Sequence, residues 1–291
     1  MKAPFLEYLR ASSLDHALAV LAEHGEDARV LAGGQSLMPA LNMRLQSPQL
    51  LVDIGAIDEL RGIAVDDGVV RIGALARHRD VEESEVIERH VPLIREAIRH
   101  VAHPAIRNRG TFGGSLAHGD PAAELPACVV ALDARIVVAS ASGGRRTIPA
   151  REFYRGLFDT ALQPGELIVH VEIDAIGDGW RSGFGELARR RGDFALVGLA
   201  AHVRANGPIF EDGRLVFFGV GGAPVPARNA WAQIGGKRVD PSVVAAAQEA
   251  LSRDLDPPGD TAASSATRMH LARVLLGRVV ADVAAGRTGA A

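Results

Sequence analysis

Ala28-Arg29-Val30-Leu31-Ala32-Gly33-Gly34-Gln35-Ser36-Leu37-Met38-Pro39-Ala40-Leu41-Asn42-Met43-Arg44-Leu45 is an apolar run that ends abruptly in two glycines. Val30, Leu31 and Ala32 read as the end of a buried strand, while Leu37, Met38, Leu41 and Leu45 fall at helical spacing, which places Gly33 to Ser36 in a strand-to-helix turn. Paired glycines let backbone approach a ligand without Cβ obstruction, and the N–H groups of a helix's first turn face that ligand with partial positive charge. Gln35 and Ser36 add side-chain donors. The stretch therefore predicts an anion site whose natural guest is a phosphate or pyrophosphate. The competing reading is a turn that needs only a positive φ or close packing.

A second pair of glycines stands far along the chain, in Thr111-Phe112-Gly113-Gly114-Ser115. It again offers bare backbone N–H groups, with hydroxyls on Thr111 and Ser115 and carboxylates following at Asp120 and Glu124. Two such turns can clasp two phosphates, or one pyrophosphate and the chain attached to it. The carboxylates would repel phosphate, so they read as acceptors for ribityl, ribose or ring N–H groups. The alternative is a tight loop between helices, with Asp120-Pro121 as an ordinary N-cap pair.

Composition narrows the function classes. The 291 residues are 47% hydrophobic and 23% charged, enough for two domains with real cores. The formal net charge is −3 and Lys2 and Lys237 are the only lysines, so the basic excess of a nucleic-acid binder is missing. Cys128 is the only cysteine, which excludes an internal disulfide, a thiolate-held iron–sulfur cluster and a zinc Cys set, and fits a reducing compartment. The N-terminus has no apolar signal region and no apolar run reaches transmembrane length, so a cytoplasmic protein is expected.

Outward from the first turn, residues 4–10 read as a strand. Ser12 is expected to cap a helix carrying Leu14, Leu18 and Leu21, with Gly25 as its stop, and Leu50 to Ile54 is a further strand. This makes a β-α-β-α-β unit over residues 1–57. A hairpin follows at 63–65 and 69–72 around Asp66-Asp67-Gly68. Helices are expected at about 81–88 and 92–100, and from Pro121 through Ala131. Strands are read at 135–139 and 167–173. Composition shifts over Asp174 to Gly185, which predicts a boundary there, with units 58–175 and 176–286 on either side. The last unit reads as strands at about 196–204 and 214–221, a helix begun by Asp240-Pro241, and a terminal helix with the stripe Met269, Ala272, Leu275, Leu276, Val279, Val280 and Val283. Gly286 to Ala291 are expected to fray.

Several lures fail on inspection. Gly219-Val220-Gly221-Gly222 begins like a dinucleotide fingerprint, but Pro224 occupies the place of its third glycine, so it reads as a structural turn. His100 and His103 share helical spacing, yet Pro104 is expected to end that helix and no metalloprotease Glu follows. No metal is assigned, and no catalytic acid, base or nucleophile set stands out. Cys128 reads as a small buried hydrophobe. Arg189 to Arg191 look like a solvated face, but Asp193 and Phe194 directly after them can bring an aromatic ring to an interdomain cleft.

Taken together, Ala32-Gly33-Gly34-Gln35-Ser36-Leu37 with Pro39 and Arg44, Thr111-Phe112-Gly113-Gly114-Ser115 with Ala117, Asp120-Pro121 and Glu124-Leu125-Pro126, and Arg190-Arg191-Gly192-Asp193-Phe194-Ala195 resemble one family in order and spacing. It is the FAD-binding medium subunit of molybdenum hydroxylases, the xanthine dehydrogenase and carbon monoxide dehydrogenase family. The resemblance implies an α+β chain with a FAD-binding fold of the vanillyl-alcohol oxidase (PCMH) type. Two α/β subdomains, 1–57 and 58–175, would precede a C-terminal α+β domain, 176–286, with a three-stranded sheet.

The resemblance also implies site residues. FAD would be held by Val30, Leu31, Ala32, Gly33, Gly34, Gln35, Ser36 and Leu37, then by Thr111, Gly113, Gly114 and Ser115. Asp120 and Glu124 would face its polar groups, Ile168 would pack on it, and Asp193 and Phe194 would lie beside the isoalloxazine. Gln35 departs from members with His at this position, among them carbon monoxide dehydrogenases. The partners implied are a molybdopterin-binding large subunit and a small subunit with two [2Fe–2S] clusters, assembled as a dimer of heterotrimers. The chain would relay electrons to quinone, NAD or oxygen, in the cytoplasm or attached to the inner membrane through its complex. A self-sufficient FAD-dependent oxidase or reductase is the alternative.

Overall fold

A computed structural model describes residues 2–287; part of the stretch Gly286 to Ala291, expected to fray, lies outside the described residues. The first layer is a parallel sheet of order β1-β3-β2, built from β1 (Glu7–Arg10), β2 (Ala28–Leu31) and β3 (Leu50–Asp53). Helix α1 (Leu14–His24) makes the crossover from β1 to β2 and buries Leu14, Ala17, Leu18, Val20 and Leu21. Its cap is Ser13, whose hydroxyl accepts the His16 N–H at 3.1 Å, and not Ser12 as expected. Ser12 instead meets the His16 ring at 3.0 Å.

Helix α2 is shorter than its apolar spacing implies, spanning only Leu37–Asn42. Arg44 takes a left-handed φ of 58°, which breaks the helix before Leu45. Leu41 alone is buried, while Met43 and Leu45 are exposed.

The second layer is a five-stranded antiparallel sheet of order β4-β5-β10-β6-β7. It starts with the hairpin β4 (Ile63–Asp66) and β5 (Val69–Gly73), turned at Asp67 and Gly68 with φ of 46° and 72°, as a two-residue primed turn requires. The helical region between β5 and the rest of the sheet is more broken than its periodicity suggests. It consists of α3 (His78–Glu83), α4 (Glu85–His90), α5 (Pro92–Ala97), α6 (Pro104–Arg107), α7 (Phe112–His118) and α8 (Glu124–Ala131). Pro104 does not end a helix containing His100 and His103. It opens α6 at the first position, where its missing N–H costs nothing. The expected start of α8 at Pro121 also moves, to Glu124, because Asp120 closes a turn by accepting the N–H groups of Ala122 and Ala123.

Strands β6 (Arg135–Ser140) and β7 (Gly144–Pro149) follow, then α9 (Ala150–Phe153), a small ribbon of β8 (Tyr154–Gly156) and β9 (Asp159–Thr160), and β10 (Leu167–Asp174). The third layer has three long antiparallel strands, β11 (Trp180–Ala188), β12 (Ala195–Asn206) and β13 (Ile209–Phe218), extended at one edge by the two-residue β14 (Val225–Pro226). Helices α10 (Arg228–Ile234) and α11 (Pro241–Ala250) follow, the latter capped by Asp240 as expected. The long helix α12 (Ser265–Ala284) lies across β11 and β12 and buries its predicted stripe from Ala272 to Val283, with Met269 only partly covered. Part of the glycine content near residue 180 belongs to that seat. A Cβ on Gly183 would come within 2.5 Å of Val283, and one on Gly185 within 2.7 Å of Leu275.

Helix α8 is buried over its whole length between the second and third layers. Cys128 is fully buried within it, and Phe184, Ala200, Val216 and Phe218 from the third layer share one continuous core with Val138, Ile168 and Phe112. That shared core is what holds the third layer against the second.

Candidate functional site

The first glycine turn has the properties of an anion seat. Gly34 sits at φ 73°, a region that side chains with a Cβ adopt at a cost. The backbone N–H groups of Gly33, Gly34, Gln35 and Ser36 donate to no other described residue. The Gln35 side chain turns inward and donates to the Gly33 carbonyl at 3.0 Å, so it braces the turn from within. Gly33 is required for a different reason. A Cβ there would fall on the Arg109 carbonyl oxygen and lie 2.9 Å from Gly110 Cα, so the two glycine segments are in direct contact.

The second segment is not a turn of bare N–H groups, as its sequence suggests. It is the first turn of α7, and its donors are already committed. Thr111 caps the helix and accepts the Gly114 N–H at 3.2 Å, Phe112 donates to Ala76 at 2.8 Å, Gly113 to Ala74 at 2.9 Å, and Ser115 to Thr111 at 3.0 Å. A Cβ on Gly113 would meet Ala74 backbone at 2.8 Å. One on Gly114 would meet the capping hydroxyl of Thr111 at 2.6 Å, with Ala32 Cβ at 3.8 Å on the far side. Gly113 is thus glycine so that α7 can pack on the Ala74 turn that follows β5, and Gly114 brings α7 against the first turn.

His78, which sequence reasoning missed, holds this segment from behind. Its Nε2 lies 3.0 Å from the Thr111 carbonyl oxygen, and burial pushes the imidazole down to about 4. Neutral at physiological pH, it donates from Nε2 to that oxygen. The partner is 33 residues away, so no local pattern announces it.

Beyond α7, Asp120 spends one carboxylate oxygen on the Ala122 N–H at 2.9 Å. Glu124 opens α8 almost fully buried, and burial, with the Asp120 charge adding to it, lifts its carboxyl to about 7. Two further carboxyls lie at the seam between layers. Glu186 on β11 is held up to about 8 by burial and by Glu124, and its Oε2 is 3.9 Å from His100 Nδ1. Glu96 on α5 is held up to about 7 by burial, which the Phe184 backbone and the Arg99 charge only partly oppose. Carboxyls this poorly solvated keep their protons near neutrality and can donate hydrogen bonds.

Ile168 is 4% exposed on β10, at a bulge before His170, and its side chain belongs to the core. Asp193 and Phe194 stand on the other side of the seam, with Phe194 72% exposed. They border a groove of about 300 Å³ completed by Arg189, Gly192, Leu196 and Ala262. Gly192, at φ 83°, seats this loop against His103, where a Cβ would lie 2.6 Å from the ring. The buried Arg268 fastens both walls by donating to the carbonyls of Leu196 and Gly219 and pairing with Asp260 at 2.6 Å. Gly219 in turn donates to the Pro121 carbonyl at 2.8 Å, tying the groove to the Asp120-Pro121 turn. Arg268 is one of three arginines along α12, with Arg273 and Arg278, that look alike in sequence; only its burial distinguishes it.

The structure thus brings residues 30–37 and 111–115 together, continues them through Asp120 and Glu124, places Ile168 in the core behind, and sets Asp193 and Phe194 on a loop anchored to the same region. The Gly219 segment is a structural turn at φ 73°, where a Cβ would lie 2.9 Å from the Leu196 carbonyl oxygen. His118 packs on Phe158 at 4.9 Å. Among the described residues no group of three or more His, Cys, Asp or Glu is placed to hold a metal ion, and no helix is long and apolar enough to cross a membrane.

Residues 4–174 match the FAD binding domain in molybdopterin dehydrogenase, and residues 182–283 match the CO dehydrogenase flavoprotein C-terminal domain. The chain is 39% identical to the 6-hydroxypseudooxynicotine dehydrogenase complex subunit alpha of Paenarthrobacter nicotinovorans, over 97% of this chain and 95% of that one. It is 35% identical to the glyceraldehyde dehydrogenase medium chain of Sulfolobus acidocaldarius, over 98% and 100% respectively. A solved carbon monoxide dehydrogenase from Hydrogenophaga pseudoflava superposes with a TM-score of 0.95 at 34% identity, covering 98% of this chain and 99% of that one.

Proposed function

We propose, for a chain that belongs to the family of FAD-binding medium subunits of molybdenum hydroxylases, that it relays electrons from the [2Fe–2S] clusters of a partner subunit through FAD to an external acceptor. The observation that carries the reading is the first glycine turn. Four adjacent backbone N–H groups lie free at a left-handed glycine, beside a second glycine segment packed against them, which suits a pyrophosphate. When bound, FAD supplies the ability to take electrons one at a time and pass them on in pairs.

The chain's own residues bind and orient. Gly33 to Ser36 hold the phosphates, Val30 to Ala32 and Leu37 flank them, and α7 with Thr111, Gly113, Gly114 and Ser115 forms the adjoining wall. Asp120 accepts hydrogen bonds from the cofactor's polar groups. Glu124, with its carboxyl near half-protonated at neutral pH, donates or accepts as the cofactor requires. Ile168 backs the site from the core, and Phe194 with Asp193 covers the ring edge. The molybdopterin-binding large subunit and the iron–sulfur small subunit complete a dimer of heterotrimers in the cytoplasm. The acceptor is quinone, NAD or oxygen.

The test is anaerobic mixing of the FAD-loaded chain with heterocycles and aldehydes while flavin absorbance is followed. No bleaching by substrate alone, and bleaching after the two partner subunits are added, is the expected result. Rapid bleaching by substrate alone would make the chain a self-sufficient oxidase and overturn the relay.

A further inference from the structure

We propose a second anion site in this chain, independent of the FAD reading: the groove between α3, α5 and α6, where Arg95 and Arg99 with Asn108 take a doubly charged oxyanion of the phosphate class. The groove has a volume of about 460 Å³ and is bordered by four arginines, Arg79, Arg95, Arg99 and Arg107, against two carboxylates, Glu82 and Glu83. Both carboxylates are already committed. Glu82 pairs with Arg107 at 2.8 Å and Glu83 with Arg79 at 2.9 Å.

Arg95 and Arg99 make no ion pair among the described residues, so the groove carries a local positive excess in a chain whose net charge is −3. The Nε of Arg95 is also buried without a hydrogen-bond partner. A buried donor left in that state is costly, and a ligand oxygen is a natural complement. Glu96, between the two arginines in sequence, offsets their charge only in part. Its carboxyl is buried and held up to about 7, with the Arg99 charge only partly opposing that shift.

One wall of the groove is fixed in place. Arg107 is pinned by Glu82 and by the carbonyls of Val101 and Ala102 at 3.1 and 3.3 Å, and Pro104 fixes the start of α6. Two guanidinium groups and the Asn108 amide present more donors than one carboxylate can accept, whereas a phosphate group offers enough oxygens and the matching charge.

The experiment uses the full chain loaded with FAD, so that the first glycine turn is filled and cannot supply the signal. Inorganic phosphate, pyrophosphate and ADP are each titrated calorimetrically at low ionic strength, with acetate as the singly charged control. One saturable site is expected for the phosphate-class probes, weakened by added salt and nearly absent for acetate. Arg95→Met and Arg99→Met should each weaken it at least about tenfold, while Arg253→Met, outside the groove, should leave it unchanged. Tighter binding of ADP than of pyrophosphate identifies a nucleotide site, and the reverse a site for the free oxyanion. Arg99 is exposed, so its variant keeps the fold and decides the matter even where Arg95→Met does not. Equal affinity in wild type and Arg99→Met, or no saturable binding of any phosphate-class probe, overturns the proposal.

Discussion

Gly33-Gly34 and Gly113-Gly114 look interchangeable in sequence, each followed by a polar residue and a helix, yet the molecule uses them in opposite ways. At the first pair the backbone N–H groups are free and one glycine has a left-handed φ. At the second, Phe112, Gly113, Gly114 and Ser115 have all spent their N–H groups within the protein, and neither glycine needs an unusual φ. A glycine pair can therefore bare the backbone to a ligand or let a helix lie directly on another segment's backbone. What separates the cases is where the N–H groups go.

The largest effect should come from Gly113→Val. The new side chain has to displace the Ala74 backbone and push α7 off the turn that follows β5, so a loss of about 3–5 kcal/mol in chemical denaturation is expected, with FAD release following from the damage. A well-folded Gly113→Val that merely binds FAD less well would erase the distinction between the two pairs.

Acid should loosen the second segment before the first. His78 has a folded value of about 4 against an ordinary 6.5, so its contribution is complete above pH 6.5 and lost as pH falls through that window towards 4. The sign follows from the unfolded state binding the proton more readily. The contribution is on the order of 2–3 kcal/mol, and melting curves of wild type and His78→Asn should converge as pH is lowered. Parallel curves between pH 7 and 4.5 would remove His78 from the support of α7.

Gly33→Ala probes the contact between the segments. Its methyl group must push the Arg109 carbonyl away, which should cost about 2 kcal/mol in stability and most of the FAD retained after gel filtration. Gly34→Ala should be milder, about 1 kcal/mol from the left-handed φ, because the neighbouring Leu31 and Met38 atoms at 3.2 and 3.3 Å are side chains that can move. If Gly34→Ala released FAD as completely as Gly33→Ala, the first turn would depend on its φ more than on its seat against Arg109.

Periodicity and punctuation were enough for much of this. The parallel unit β1-α1-β2-α2-β3, the Asp67-Gly68 hairpin, the Asp240 cap and the buried stripe of α12 all rest on neighbours within a few residues, and such interactions leave local patterns. Helix limits were less legible. Arg44 in a left-handed conformation and Pro104 at the start of α6 depend on how the following segment must leave, which spacing does not encode.

By itself, the sequence determined the element order of the first unit, the two glycine pairs and the family to which their spacing belongs, because backbone propensity and hydrophobic period act over short distances. Only the tertiary structure decided which glycine pair keeps its N–H groups free, which arginine is buried, and which carboxyls hold their protons. Those outcomes turn on Ala74 meeting Gly113, on Arg268 reaching Leu196, and on Glu186 being shut away beside Glu124. Burial and long-range hydrogen bonding are properties of the packed chain, and they join residues whose separation in sequence carries no sign of the contact.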